Sequence, residues 1–205
     1  MSAAPTLRTL SGAVRTTHLQ ATTTAIIVID IQNEYFPGGK LPVPDGQRVL
    51  EKNQQLLNFA RSHTMPIFFV QHLGSPDGPL FAEGSGFDDF HAKLQPYTGD
   101  RVIRKATPSA FVGTDLEAQL NALGIKQLIV SGLMTHMCVS STARDAVPKG
   151  FSVIIPDDAC ATRDVDGWDG NVLSHQQLHY AALTAVGDVF AEVMSTTQLT
   201  ALPVY

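Results

Sequence analysis

Four short runs of almost wholly apolar, β-branched-rich sequence leave this chain few ways to fold. They are TAIIVID at 24–30, PIFFVQ at Pro66–Gln71, QLIVS at Gln127–Ser131 and FSVII at Phe151–Ile155, with a shorter run at Arg101–Arg104. A strand that is apolar on both sides has no face to turn to water, so helices must cover it above and below, which is the situation of a central parallel strand. Helical patterns separate the runs. Val49, Leu50, Leu56, Leu57 and Ala60 mark one face of a helix between the first two. Before the QLIVS run, TDLEAQLNALG reads as a helix with a capping box from Thr114 to Glu117, a buried stripe of Leu116, Leu120 and Leu123, and a stop at Gly124. A last helix from about Ser174 carries Leu178, Ala181, Ala182 and Ala185, and DVFAEV then reads as an alternating final strand. Strand and helix alternate, which predicts an α/β fold: an open, mostly parallel six-stranded sheet with right-handed crossovers and helices on both faces, a three-layer α/β/α arrangement.

In such a sheet ligands bind outside the carboxyl ends of the strands. Asp30, His72, Lys105 and the turn holding Cys138 all fall there. The stretch LIVSGLMTHMCVSSTARDA runs from an apolar strand through a turn and delivers Cys138 to a helix start. About half a positive charge and unpaired N–H groups reside at that end, favouring thiolate over thiol and able to hold an oxyanion. A free cysteine is more often a small buried hydrophobe. Here the helix that follows is polar at once (Ser140, Ser141, Thr142, Arg144, Asp145), and the turn holds bulky Leu133, Met134 and Met137. Asp30 ends an otherwise apolar strand, so its carboxylate must be capped, paired or used; the plain alternative is that it closes the strand and holds the QNEYF turn. Lys105 alone would read as a surface lysine. Acid, cation and thiol at one sheet edge make a nucleophilic set.

These residues carry a resemblance. VIDIQNEYF with Asp30, RKATPSAF with Lys105, SGLMTHMCVSSTARDA with Cys138, and PDDACATRD resemble the isochorismatase-like cysteine hydrolases over about residues 24–199. The resemblance implies a catalytic triad of Asp30, Lys105 and Cys138, a cis peptide between Leu133 and Met134, and an oxyanion hole from the backbone N–H groups of Met134 and Cys138. It also implies hydrolysis through a covalent thioester. Nicotinamidases of that family bind a metal beginning from an Asp-x-His motif after the second strand. This chain has QHLGSPDGP there, with His72 but no Asp-x-His, so neither metal nor cofactor is expected. Isochorismatases proper lack the cysteine and cleave a vinyl ether, so Cys138 points to a C–N bond in an amide, lactam or carbamoyl group.

Expected pocket walls are Tyr35, Phe36, His72, Phe111, Met134, His136, Trp168 and His179, with core packing the competing role for each aromatic. Cys160 reads as buried and inert. A chain with 44% hydrophobic and 16% charged residues and a net charge of −5, its 14 lysines and arginines scattered, offers no basic face for nucleic acid and suits a small neutral or cationic ligand. Two cysteines without a CxxC pair argue against a disulfide framework or zinc ribbon and for a reducing, cytoplasmic setting. No span of about 18 apolar residues occurs, so no membrane contact is expected. Residues 1–23 read as an N-terminal arm, an extra strand or subunit contact, before a single domain at 24–205. The Gly- and Pro-rich segment 73–100, with Phe81, Phe87, Phe90 and Tyr97, reads as a lid or subunit contact. Arm and loop together suggest a homo-oligomer, a dimer or tetramer. The rival functions are a redox-active thiol protein, disfavoured by the lack of a nearby resolving cysteine, and a non-catalytic binding homologue.

Overall fold

The computed structural model describes residues 4–205, so the first three residues of the expected arm lie outside the described residues. The first half of the chain forms α1 (Leu7–Leu10), β1 (Thr24–Ile29), α2 (Gly46–Ser62), β2 (Ile67–His72) and β3 (Arg101–Lys105). The second half forms α3 (Leu116–Ala122), β4 (Gln127–Leu133), α4 (Ser140–Ala146), β5 (Ser152–Pro156), β6 (Cys160–Ala161), β7 (Val165–Asp166), β8 (Val172–Leu173), α5 (His175–Gly187), β9 (Glu192–Met194) and α6 (Thr196–Thr200). Six strands form a parallel sheet in the order β3-β2-β1-β4-β5-β9. The three-layer α/β/α architecture is the one the apolar runs require.

Side chains of successive strand residues part to two cores because strand periodicity is two. Ile26, Val28, Phe69, Ile129 and Ile154 meet Val49, Leu56 and Ala60 of α2 and Leu199 of α6 on one face. Ile27, Phe68, Val70, Leu128 and Val130 meet Leu116 and Leu120 of α3, Ala143 of α4 and Val186 of α5 on the other. Register then aligns the strand ends that matter: Ile29 pairs with both Val70 and Gly132, and His72 pairs with Lys105. The two-residue β6 extends this edge, with Gly132 beside Cys160 and Leu133 beside Ala161.

Several local expectations are corrected. No helix links β2 to β3; the connection is the irregular segment 73–100. Its order comes from the polar residues just after β1. Gln32 is fully buried and gives its Nε2 to the carbonyls of His72 (2.8 Å) and Asp88 (2.6 Å) while its Oε1 accepts from His72 N–H (2.8 Å). Asn33 Nδ2 donates to Gly86 O, and the buried Glu34 carboxylate accepts from the N–H groups of Lys40 and Phe81. The capping box at Thr114 is absent: Asp115 occupies the cap position of α3, and Thr114 Oγ1 instead donates to Ala110 O at 2.6 Å. DVFAEV is strand only at its end, because the N–H groups of Phe190 and Ala191 both return to Val186 O and prolong the end of α5. A serine–glutamine capping box does form at the start of α5, between Ser174 and Gln177.

The described arm lies along its own chain. Arg8 N–H donates to Asp188 O (2.8 Å), and Thr16 donates to the Glu192 carboxylate through its N–H (2.9 Å) and its hydroxyl (2.7 Å). A single bridge, Leu19 to Val204, is its only strand-like pairing among the described residues. No helix of the described residues is long and apolar enough to cross a membrane.

Candidate active site

Three strand ends and one turn bring the reactive groups together. Asp30 follows β1 directly and takes a left-handed backbone conformation, φ 48°, a strained choice for a residue with a Cβ. Lys105 ends β3, two strands away. Cys138 sits in a single π-helical turn, Thr135–Val139, that carries β4 into α4. The Leu133–Met134 peptide is cis. Lys105 Nζ stands 2.7 Å from Asp30 Oδ2, both side chains wholly buried, and 3.4 Å from Cys138 Sγ. It also donates to Thr107 O at 3.1 Å and meets His72 Nδ1 at 3.0 Å. An ammonium can only donate, so His72 Nδ1 is the acceptor and its proton resides on Nε2.

Asp30, His72 and Cys138 present donor atoms within 4.8 Å of one another, close enough to hold a metal ion. The Lys105 ammonium already occupies the point where those atoms converge. The positive charge this cluster needs is therefore supplied by a side chain.

The electrostatics reverse one expectation. Burial, reinforced by the Asp30 charge and only partly offset by Lys105, pushes the Cys138 thiol up to about 12. The resting sulfur is a thiol, because desolvation and a neighbouring carboxylate outweigh the helix end. Burial likewise raises Asp30 above the ordinary carboxylate range against the pull of Lys105, making it a better proton acceptor. The wholly buried Asp30 carboxylate has the Lys105 ammonium and the Cys138 thiol as its side-chain partners. His72 is held down to about 4 by burial and then by Lys105, so its imidazole is neutral.

The other expected residues divide into two groups. Tyr35 is buried; its ring meets Phe81 edge-on at 5.2 Å, and Phe81 in turn lies 4.9 Å from the His72 ring. Met134, nearly buried, heads the cysteine turn. His136 and His179 brace that turn, His136 Nδ1 with Thr162 Oγ1 at 2.6 Å and His179 Nδ1 with Thr135 Oγ1 at 2.8 Å. Phe36 packs on His91 at 4.3 Å and beside Gly46, within the core. Phe111 is not a pocket wall: it stacks on Phe151, the residue before β5 at the opposite end of the sheet, at 5.9 Å. Trp168 is not one either, since it stands fully exposed on the turn of the β7–β8 hairpin. Cys160 is wholly buried, its thiol also pushed to about 12 by burial. Ser140 and Thr142, two of the polar residues that open α4, are buried, and Thr142 Oγ1 accepts from Ala110 N–H at 3.0 Å.

Two contributors escaped the sequence reading, Gln32 and Gly132, and Phe81 entered it only as part of the 73–100 segment. Gly132 had a legible signal in the SGL step, where a strand of bulky residues admits a glycine just before the turn. Its φ is +114°, and a Cβ there would lie 2.1 Å from Ile29 O. Only glycine lets β4 lie this close to β1 one residue before Asp30. Gly132→Ala is expected to cost about 3 kcal/mol or more through backbone strain and clash, read as a lowered urea midpoint; an unchanged midpoint would contradict the close approach.

Comparison with known proteins is consistent over the length of the fold. The family model described as Isochorismatase domain matches residues 24–198. The uncharacterized isochorismatase family protein YddQ of Bacillus subtilis is 35% identical over 175 residues, covering 85% of this chain and 97% of that protein. Ureidoacrylate amidohydrolase RutB of Stutzerimonas stutzeri is 31% identical, covering 68% of this chain and 70% of its own length. Among solved structures, an isochorismatase from Pseudomonas putida superposes with a TM-score of 0.88 at 34% identity, covering 96% of this chain and 99% of that one.

Proposed function

The chain belongs to the isochorismatase family of hydrolases, and on that premise we propose that it cleaves a C–N bond of a small molecule, an amide, lactam or carbamoyl group, with Cys138 as nucleophile. The observation that carries this reading is the buried ammonium of Lys105 set between the Asp30 carboxylate, at 2.7 Å, and the Cys138 sulfur, at 3.4 Å. A thiol pushed to about 12 needs a base beside it to react near neutrality, and the Asp30 carboxylate is the base in reach.

As Sγ attacks the carbonyl carbon, its proton passes to Asp30. The oxyanion that forms takes hydrogen bonds from the N–H groups of Met134 and Cys138. The C–N bond then breaks, the amine leaving with the proton held by Asp30 and the acyl group remaining on sulfur as a thioester. Water attacks the thioester and gives a proton to Asp30; the acid departs and the proton returns to Sγ. Lys105 counters first the carboxylate and then the charge that builds on sulfur.

Incubation with a panel of amides, lactams and carbamoyl compounds tests this reading, with amine or ammonia release and intact mass followed together. The expected result is amine release with an acyl adduct on Cys138 in quenched samples. Peroxide-driven sulfenic acid at Cys138 with no hydrolysis anywhere in the panel would overturn it in favour of a redox thiol. The raised thiol already weighs against that alternative, because oxidant sensing relies on thiolate.

A further inference from the structure

A histidine from a distant helix holds the cysteine turn. Leu183 and Val186 of α5 are buried in the core. His179 stands one turn before Leu183 on the same stripe, where helical spacing calls for another apolar residue. There α5 packs directly on the turn Thr135–Val139, and His179 Nδ1 lies 2.8 Å from the hydroxyl of Thr135, which is only 1% exposed. Among the described residues this is the one hydrogen bond of the Thr135 side chain. The carbonyl of Asp157, the residue after β5, is a second hydrogen-bond partner of the ring. His179 therefore ties the turn to the end of β5 as well as to α5.

The backbone of the turn is weakly closed. Met134 at its head gives it no side-chain cap, and the Met134 carbonyl is shared between the N–H groups of Met137 at 3.1 Å and Val139 at 3.3 Å. Besides the bond from His136 to Thr162, the contact with His179 is what fixes its start. Single π-helical turns are rare and concentrate at functional sites. The two N–H groups assigned to the oxyanion, those of Met134 and Cys138, lie on either side of Thr135 in the chain. Such donors act by being aimed where charge develops, and a misplacement of about 1 Å loses much of their effect.

We propose that His179 is a positioning residue for the reaction: through the Thr135 hydroxyl it holds the cysteine turn where the N–H groups of Met134 and Cys138 meet the oxyanion. Its effect falls on acyl transfer to the sulfur and not on the reactivity of the sulfur as such. This role rests on the hydrolase reading for the place of the oxyanion.

Two reactions of Cys138 separate these effects without a known substrate. p-Nitrophenyl acetate acylates the sulfur through an oxyanion: the S–C bond forms, p-nitrophenolate leaves, and the thiol proton passes to Asp30. Iodoacetamide alkylates the sulfur by loss of iodide from a saturated carbon, with no oxyanion. Both rates are read by intact mass, with Cys138→Ala as the background for Cys160. His179→Phe, which keeps a ring and removes Nδ1, is expected to slow acetylation at least about tenfold and alkylation less than about twofold. His179→Asn, whose amide can reach the place of Nδ1, should restore most of the loss. Thr135→Val should match His179→Phe, and the double variant should be no slower than the slower single one, because both remove the same bond. Acetylation and alkylation that change in step, or not at all, in a folded His179→Phe protein would overturn the positioning role, as would losses that multiply in the double variant. A wild-type thiol that acetylates no faster, relative to alkylation, than free cysteine would instead overturn the oxyanion hole and the hydrolase reading, and this role with them.

Discussion

Cys138→Ala is expected to lower turnover of any amide the wild-type protein cleaves by a factor of about 10⁴ to 10⁶, the range seen when one member of a concerted nucleophile set is removed. The fold should hardly notice. Cys138 is 6% exposed, and trimming one sulfur from such a position costs on the order of 1 kcal/mol, so melting should stay within a few degrees of wild type. Asp30→Asn should lose nearly as much rate, because it removes the base that takes the thiol proton and hands it to the leaving amine. Losses from such residues do not add, and the double variant should be no slower than the slower single one. Steady-state amine release by a folded Cys138→Ala protein at the wild-type rate would sink the mechanism.

Lys105→Ala carries the largest expected effect on stability. It strips the counter-charge from a carboxylate that is wholly buried. Breaking a buried pair by removing one partner costs about 3–5 kcal/mol, since the remaining charge must be left bare or protonated. For a chain of 205 residues that is roughly 6–20 °C in melting temperature. Neutralising the orphan should return much of the loss, so Lys105→Ala combined with Asp30→Asn is expected to melt above Lys105→Ala alone. Calorimetry decides between this and a purely chemical role for the lysine: a Lys105→Ala protein that melts within about 1 °C of wild type would show that the pair contributes nothing to the fold.

The parallel sheet and the convergence of Asp30, Lys105 and Cys138 were legible because both follow from local sequence. A run such as TAIIVID can be satisfied only between two helical layers, and a carboxylate at the end of such a run, a lysine at the end of another and a cysteine in a turn after a third fall on one edge by topology alone. The pocket was less legible. Phe111 and Trp168 are aromatic and lie near catalytic motifs in sequence, yet one stacks on Phe151 at the far end of the sheet and the other stands in solvent. Chain proximity fixes which strand a residue follows, whereas the direction of a loop side chain depends on contacts made by distant segments. Phe81 shows the converse, reaching His72 and Tyr35 from a loop that Gln32, Asn33 and Glu34 hold in place.

By itself the sequence determined the layer order of this protein and the meeting of Asp30, Lys105 and Cys138 at one sheet edge, because hydrophobic periodicity and strand-end position are properties of short segments. Tertiary structure alone decided their protonation. Whether Cys138 rests as thiol or thiolate depends on burial and on the charges of Asp30 and Lys105, which arrive from other strands. Charge states and unmet hydrogen bonds are sums over everything packed around a group, and that environment is assembled only when the chain folds.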